Sequence, residues 1–327
     1  MKNRKVFVTF PIAKVAIDRL AQIAEVQLSP YGVPCPKDKL MKELAEAEAV
    51  VVDGTTIIDA QVMRAAQKLR IIARVGVGFD NVDLKTATER GVYVGITPVL
   101  SDAVAELTIA LMLALSRKLL EAHGYVKSRK WTEGSDFPHG IDLSGKTLGI
   151  IGLGQIGLEV ARRASGLRMA IQYHDVVRRE EAERLYDAKY SSLESLLKDS
   201  DFITLHLPLT STTQKLIGRF ELGLMKPTAY LINTARGKVV DQVALWEALK
   251  ERRIAGAALD VYEVEPIPRD EPLLELDNVI LTPHIGSATV ETRTKMALTA
   301  AEDVIRVLEG KEPMNLANRE LLKRQTG

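Results

Sequence analysis

A chain of 327 residues with 46% hydrophobic side chains is long enough for two domains, each burying its own core. Its 44 basic and 43 acidic residues nearly cancel, and no basic run concentrates charge, which argues against a nucleic acid as partner. The single cysteine, Cys35, excludes an intrachain disulfide framework and fits a reducing compartment, so the cytoplasm is the expected location.

The opening MKNRKVFVTF passes from a basic segment into strand-like residues without an apolar stretch and cleavage site, so no signal peptide is expected. Short β-branched runs then follow one another with helical patterns between them: KVFV near Val6, EVQL near Val26, AVVV at Ala49, RIIARV at Arg70 and VYVG at Val92. The series ends near TPVLSDAVAEL, where Pro98 closes an extended segment and Ser101 or Asp102 is expected to cap a long helix, placing a hinge there. That helix carries the most apolar stretch, Leu107 to Leu120. Arg117 and Lys118 interrupt the stretch, and Asp102 and Glu106 precede it, so it is too short to span a bilayer and reads as a buried or dimer-facing helix. No membrane partner is expected, and a homodimer is.

After Gly145 a second series begins: TLGII, AIQYHD, DFITLHLP, AYLINT, GAALDV and NVILTPH, separated by helical segments such as DQVALWEALKER. Between the strand Thr147 to Ile151 and the next helix lies GxGxxG, formed by Gly152, Gly154 and Gly157. The first glycine permits the tight turn, the second lets backbone approach a pyrophosphate, and the third allows close helix packing. The amides of Gln155 and Ile156 then face phosphates at a helix N-terminus. Asp175 follows Gly157 by 18 residues at the end of the next strand, near the spacing at which an acid binds the adenosine ribose hydroxyls. A carboxylate there would repel a 2′-phosphate, so NAD is the expected cofactor. Arg178 and Arg179, just behind, keep NADP open as a weaker alternative.

The alternation predicts an α/β chain: a Rossmann-type doubly wound parallel sheet plus a second, flavodoxin-like α/β substrate domain split between the chain ends. The expected boundaries are 1–99 for the first part of the substrate domain, 100–287 for the NAD-binding domain, and 288–327 for the return. A last helical pattern from Thr289 to Leu308, stopped by Gly310 and Pro313, would form that return.

Three further segments place a reactive side chain just after a strand: LINTARGKVVD with Arg236, ALDVYEVEP with Glu265 and LTPHIGSAT with His284. Each alone reads as a strand-end cap or a loop residue. As a set they meet the needs of hydride exchange with a 2-keto acid. Arginine pairs its fork with a carboxylate, histidine gives a proton to a forming alkoxide near neutral pH, and a glutamate beside the histidine favours the imidazolium. No cluster with metal-ligand spacing stands out, and this chemistry needs no metal.

GLGQIG with Asp175, NTARG, ALDVYEVEP and TPHIGSAT, in this order, together with RVGVGFDNVD near residue 78 and AELTIALMLALSR after Ala105, resemble the D-isomer-specific 2-hydroxyacid dehydrogenase family over nearly the whole chain. The resemblance implies that Arg236 holds the substrate carboxylate, His284 moves the proton and Glu265 orients His284. It also implies that the loop Val75, Gly76, Val77 and Gly78 anchors the carboxylate through backbone amides, and that Leu207, Thr234, Ala235 and Asp260 line the cofactor. His206, on the HLP segment beside the adenine side in relatives, reads as structural, and His123, His139 and His174 have no assigned chemistry. Many relatives carry Thr or Ser around Val104, where valine cannot donate a hydrogen bond.

Within the family, the region VGITPVLSDAVAELT is most similar to glyoxylate and hydroxypyruvate reductases, so a small 2-keto or 2-hydroxy acid is the expected partner. Phosphoglycerate dehydrogenase is the nearest alternative. Phosphite dehydrogenase would carry lysine where Val77 stands. A reading of another class is an NAD-sensing co-repressor-like scaffold, which shares the fold.

Overall fold

The five early β-branched runs become strands β1 (Lys5–Val8), β2 (Glu25–Leu28), β3 (Ala49–Val52), β4 (Ile71–Arg74) and β5 (Tyr93–Gly95) in the computed structural model, which describes residues 4–325. All pair in parallel, in the flavodoxin-like order β2-β1-β3-β4-β5. β3 is buried at every position, so AVVV reads as an unbroken apolar run rather than an alternating one.

The same compact unit takes in the residues from Ala288 onward, while Ser101–Ser287 form a second. The returning segment is held to the first unit by identifiable bonds. Thr289 caps the helix Val290–Leu308 by accepting the Thr292 N–H, and Met296, Ala300, Val304 and Val307 recur at helical spacing on its buried side. Asp303, 1% exposed on that helix, accepts from the Met314 and Asn315 amides, which directs Leu316 into an antiparallel bridge with Gly95. Buried Asn318 then accepts from the Val94 amide and donates to the Val92 carbonyl.

The second unit holds β6 (Thr147–Ile151), β7 (Ala170–His174), β8 (Lys189–Tyr190), β9 (Phe202–Leu205), β10 (Tyr230–Asn233), β11 (Gly256–Leu259) and β12 (Val279–Leu281). Their order, β12-β11-β10-β9-β6-β7-β8, is parallel throughout and reverses direction between β6 and β9, the switch point of a doubly wound dinucleotide-binding sheet. Successive residues feed opposite faces: Leu148 and Ile150 join one core, while Ile151, Ile203 and Leu205 join the other. The two-residue edge strand β8 carries too little pattern to be read in the sequence.

The helix Ser101–Ser116 begins at Ser101, so neither Ser101 nor Asp102 stands outside it as a cap. Asp102 instead accepts a 2.8 Å hydrogen bond from Arg163 on the helix Gln155–Gly166. Among the described residues, no helix is long and apolar enough to cross a membrane.

Candidate active site

Every functional candidate of the second unit lies beyond the C-terminal end of a strand, where open α/β sheets bind ligands. After β6 the chain turns through Gly152, whose φ of +90° is ill suited to residues with a Cβ. A Cβ there would meet the His206 carbonyl oxygen at 2.7 Å and the Leu207 side chain at 2.9 Å. A Cβ at Gly157 would stand 2.3 Å from the Gly152 carbonyl oxygen, so this glycine lets the helix Gln155–Gly166 pack against the turn. Gly154 differs: nothing lies within 4 Å of where its Cβ would be, and it offers no side-chain cap to the helix. The donor-rich helix start, with the Gln155 and Ile156 amides, therefore fits the pyrophosphate of a dinucleotide.

Asp175 follows β7 and accepts from Leu153 N–H at 2.7 Å and Val177 N–H at 3.2 Å, one on each oxygen. Each oxygen retains acceptor capacity for a ribose hydroxyl. The carboxylate thus also braces the glycine turn, a second task that spacing alone does not reveal. Leu207 packs beside the turn. Both ring nitrogens of His206 are buried without a hydrogen-bond partner among the described residues, and burial pushes its titration down to about 3, so the ring is neutral.

Beyond β10, Asn233 shapes the segment that presents Arg236. Its Oδ1 accepts from Ala235 N–H at 3.0 Å and its Nδ2 donates to the Arg236 carbonyl at 2.9 Å. Thr234, 8% exposed, shares a 3.0 Å hydrogen bond with the Thr108 hydroxyl of the helix Ser101–Ser116. Gly237 is pressed against the backbone of Tyr262 so closely that a Cβ would fall 1.8 Å from the Tyr262 carbonyl carbon.

Beyond β11 and β12 two loops are bound to each other. Asp260, 1% exposed, accepts from the Thr282 hydroxyl at 2.7 Å and from the Ile285 and Gly286 amides at 2.8 Å each. Its carboxylate therefore shapes the loop that carries His284, in addition to the cofactor-lining position implied by resemblance. Tyr262 places its hydroxyl 2.9 Å from the Thr282 carbonyl. Burial and the Asp260 and Glu265 charges push the phenol up to about 12, so it remains a donor.

Within this frame, Nδ1 of His284 lies 2.7 Å from Oε2 of Glu265, whose Oε1 accepts from Tyr262 N–H at 3.0 Å. The sheet has brought together two residues 19 positions apart because β11 and β12 are neighbours. Burial opposes ionisation of Glu265. The His284 hydrogen bond and charge, the Tyr262 amide and the Arg236 charge outweigh it, so the carboxyl titrates below the usual glutamate range. His284 adopts φ +53°, a left-handed conformation uncommon for a side-chain-bearing residue, and its side chain is 46% exposed. An exposed imidazole against an ionised carboxylate can give and take a proton.

Val104 is 5% exposed and packs toward Gly286, where a Cβ would meet its Cγ2 at 3.4 Å. In the first unit, the amides of the loop Val75–Gly78 are unequal. Val75 N–H donates to the Val52 carbonyl and Gly76 N–H to the Arg74 carbonyl, leaving those of Val77 and Gly78 without a partner among the described residues. Arg74 fills the side-chain space of Gly76, a residue at φ +151°, and donates to the Val75 carbonyl at 2.6 Å. The residues that sequence reading missed, Asn233, Thr108 and Tyr262, all act by positioning. All three stand inside the quoted motifs, which was their only signal.

A dinucleotide cradle and an Arg, Glu and His set on the same parallel sheet define an NAD(P)-dependent oxidoreductase acting on a CH–OH group. Residues 109–286 match the D-isomer specific 2-hydroxyacid dehydrogenase, NAD binding domain. The chain is 47% identical over 326 residues to a glyoxylate reductase of Korarchaeum cryptofilum, covering 99% of this chain and 98% of the relative. Among solved structures, it is similar to an NADPH-dependent glyoxylate/hydroxypyruvate reductase of Sinorhizobium meliloti in complex with NADP and malonate. The TM-score is 0.87 at 31% identity, over 96% of this chain and 97% of the other. A D-lactate dehydrogenase of Aquifex aeolicus complexed with NAD and lactic acid also gives TM-score 0.87 at 31% identity, over 96% and 99%. This chain belongs to the D-isomer-specific 2-hydroxyacid dehydrogenase family.

Proposed function

We propose that this protein reduces a small 2-keto acid, glyoxylate or hydroxypyruvate, to its 2-hydroxy acid with NADH, D-stereochemistry applying where the product is chiral. The observation that carries the reading is the 2.7 Å pair of His284 and Glu265, set on the same sheet as the glycine cradle and within the field of Arg236. The glyoxylate reductases and glyoxylate/hydroxypyruvate reductases among its relatives support the choice of substrate. The bound nicotinamide supplies the hydride. Arg236 pairs with the substrate carboxylate and polarises the neighbouring carbonyl. His284 gives its proton to the oxygen as negative charge develops there, and Glu265, kept ionised, orients the ring and stabilises the imidazolium. Gly152, Gly154, Gln155, Ile156, Gly157 and Asp175 hold the dinucleotide, with Leu207, Thr234, Ala235 and Asp260 along its length. The carboxylate-anchoring role of the loop Val75–Gly78 falls to Val77 and Gly78, whose amides have no partner among the described residues.

The test follows NADH oxidation with glyoxylate, hydroxypyruvate, pyruvate and 2-ketogluconate, then NAD+ reduction with 3-phosphoglycerate and phosphite. Turnover with glyoxylate or hydroxypyruvate is expected. Activity confined to 3-phosphoglycerate or phosphite would replace the substrate assignment, and silence throughout would refute a dehydrogenase and favour an NAD-sensing scaffold. The same proposal includes a cytoplasmic homodimer. Its face is the helix Leu119–Lys127, which buries none of its residues and exposes Leu119, Leu120 and Val126, with Trp131 beyond it. Sedimentation at the mass of one chain would overturn the dimer.

A further inference from the structure

We propose that Glu183 is a cofactor-specificity residue: by holding Arg178 in a two-point ion pair behind Asp175, it withholds one of the two cations that a 2′-phosphate could use there and so turns the chain toward NAD. The inference rests on the dehydrogenase reading above and concerns only the adenosine end of the cofactor.

Two arginines directly behind the ribose-binding acid would, on sequence alone, invite NADP. Their surroundings differ from that expectation. Arg178 donates from Nε to Oε1 of Glu183 at 2.7 Å and from Nη2 to Oε2 at 2.9 Å, so its fork is matched to one carboxylate. Glu183 is no freely swinging surface acid. Its Oε1 also accepts the hydroxyl of Tyr173 at 2.7 Å, and Tyr173 is fully buried on β7 with its oxygen accepting the Arg179 N–H at 2.8 Å. The ion pair is thereby anchored to the core through the tyrosine. Hydrogen bonds from Arg178 and Tyr173, with the Arg178 charge, bring the Glu183 carboxyl down to about 2, so it is ionised at any working pH.

The local charge balance points the same way. Glu180, Glu181 and Glu183 occupy the first turn of the helix Glu180–Tyr186 and join Asp175 against Arg178 and Arg179. An incoming 2′-phosphate must meet these carboxylates with Arg178 already engaged and only the Arg179 guanidinium to answer it, or displace Glu183 and leave an anchored anion with only the tyrosine hydroxyl. Either route offsets what the phosphate would gain. The ribose hydroxyl of NAD needs only the acceptor that Asp175 supplies.

The experiment is calorimetric binding of NAD+ and NADP+ to the full chain and to Glu183→Gln, Arg178→Met and the double variant. Glutamine keeps an acceptor for Tyr173, and Glu183→Ala, which removes every hydrogen bond to Arg178, repeats the measurement. Both Glu183 variants are expected to bind NADP+ about tenfold more tightly, on the order of 1.4 kcal/mol, with NAD+ affinity unchanged. The gain is expected to vanish in the double variant. Unmoved NADP+ affinity in both Glu183 variants, or a gain that survives loss of Arg178, overturns the role of Glu183. A wild-type chain that binds neither dinucleotide takes the dehydrogenase reading down with it.

Discussion

Alanine at Gly237 tests the geometry of the proton-transfer pair without touching either member. The new Cβ would stand 1.8 Å from the Tyr262 carbonyl carbon, 2.0 Å from its oxygen and 2.5 Å from the Glu263 nitrogen, all main-chain atoms without a rotamer to yield. Ordinary contact begins at 3.4 Å, so the backbone at Tyr262 must retreat by about 1.6 Å. Tyr262 N–H is the group that fixes Oε1 of Glu265, and the opposite oxygen meets His284 at 2.7 Å. A shift of that size carries the carboxylate out of hydrogen-bond range. Misplacement by roughly 1 Å costs about a hundredfold in rate, and forced overpacking costs about 1–3 kcal/mol, or about 2–4 °C of Tm per kcal/mol at this size. The expected result is kcat for glyoxylate down roughly a hundredfold and a lowered Tm. NADH affinity by fluorescence titration should be unchanged, because the Gly152 turn is untouched. Gly223, where a Cβ would meet nothing within 4 Å, is the control. Wild-type turnover and Tm in Gly237→Ala would refute the argument.

His284→Ala is expected to lower kcat while leaving NADH affinity intact, whereas Arg236→Ala chiefly raises KM for the keto acid; steady-state kinetics separate the two, and near-normal turnover without His284 would refute its role. Asp260→Asn presents an amide N–H2 to one of its three donors, Thr282 Oγ1 and the Ile285 and Gly286 amides, and should cost about 1–3 kcal/mol by denaturant unfolding, with kcat reduced as the His284 loop loosens. Glu265 titrates lower in the folded chain than in the unfolded one, so its ionised form stabilises the fold fully above the ordinary value of 4.5 and loses that effect as pH falls through the lowered one. The Tm advantage of wild type over Glu265→Gln is therefore expected to be larger near pH ~6 than near pH ~3. An advantage that grows on acidification would reverse the sign and the assignment.

Linear pattern determined the features that depend on local residues. The parallel sheets were legible because strands covered on both faces, such as AVVV in β3 and FITL in β9, must be apolar at nearly every position. The glycine turn was legible because Gly152 requires a positive φ and Gly157 permits no Cβ, constraints that each act at a single residue. NTARG and TPHIGSAT named Arg236 and His284 by the same local economy. Tertiary structure alone decided where hydrogen bonds and charges were spent. It set Glu265 against His284 because β11 lies beside β12, and used the Asp260 carboxylate to shape the His284 loop. It consumed the Val75 and Gly76 amides while leaving those of Val77 and Gly78 without a partner among the described residues. It also tied Arg178 to Glu183, so that one of the two arginines that kept NADP open in the sequence became one side of an ion pair. A side chain's type is written at one position, but its free donors and net field depend on neighbours from distant segments, and folding supplies those.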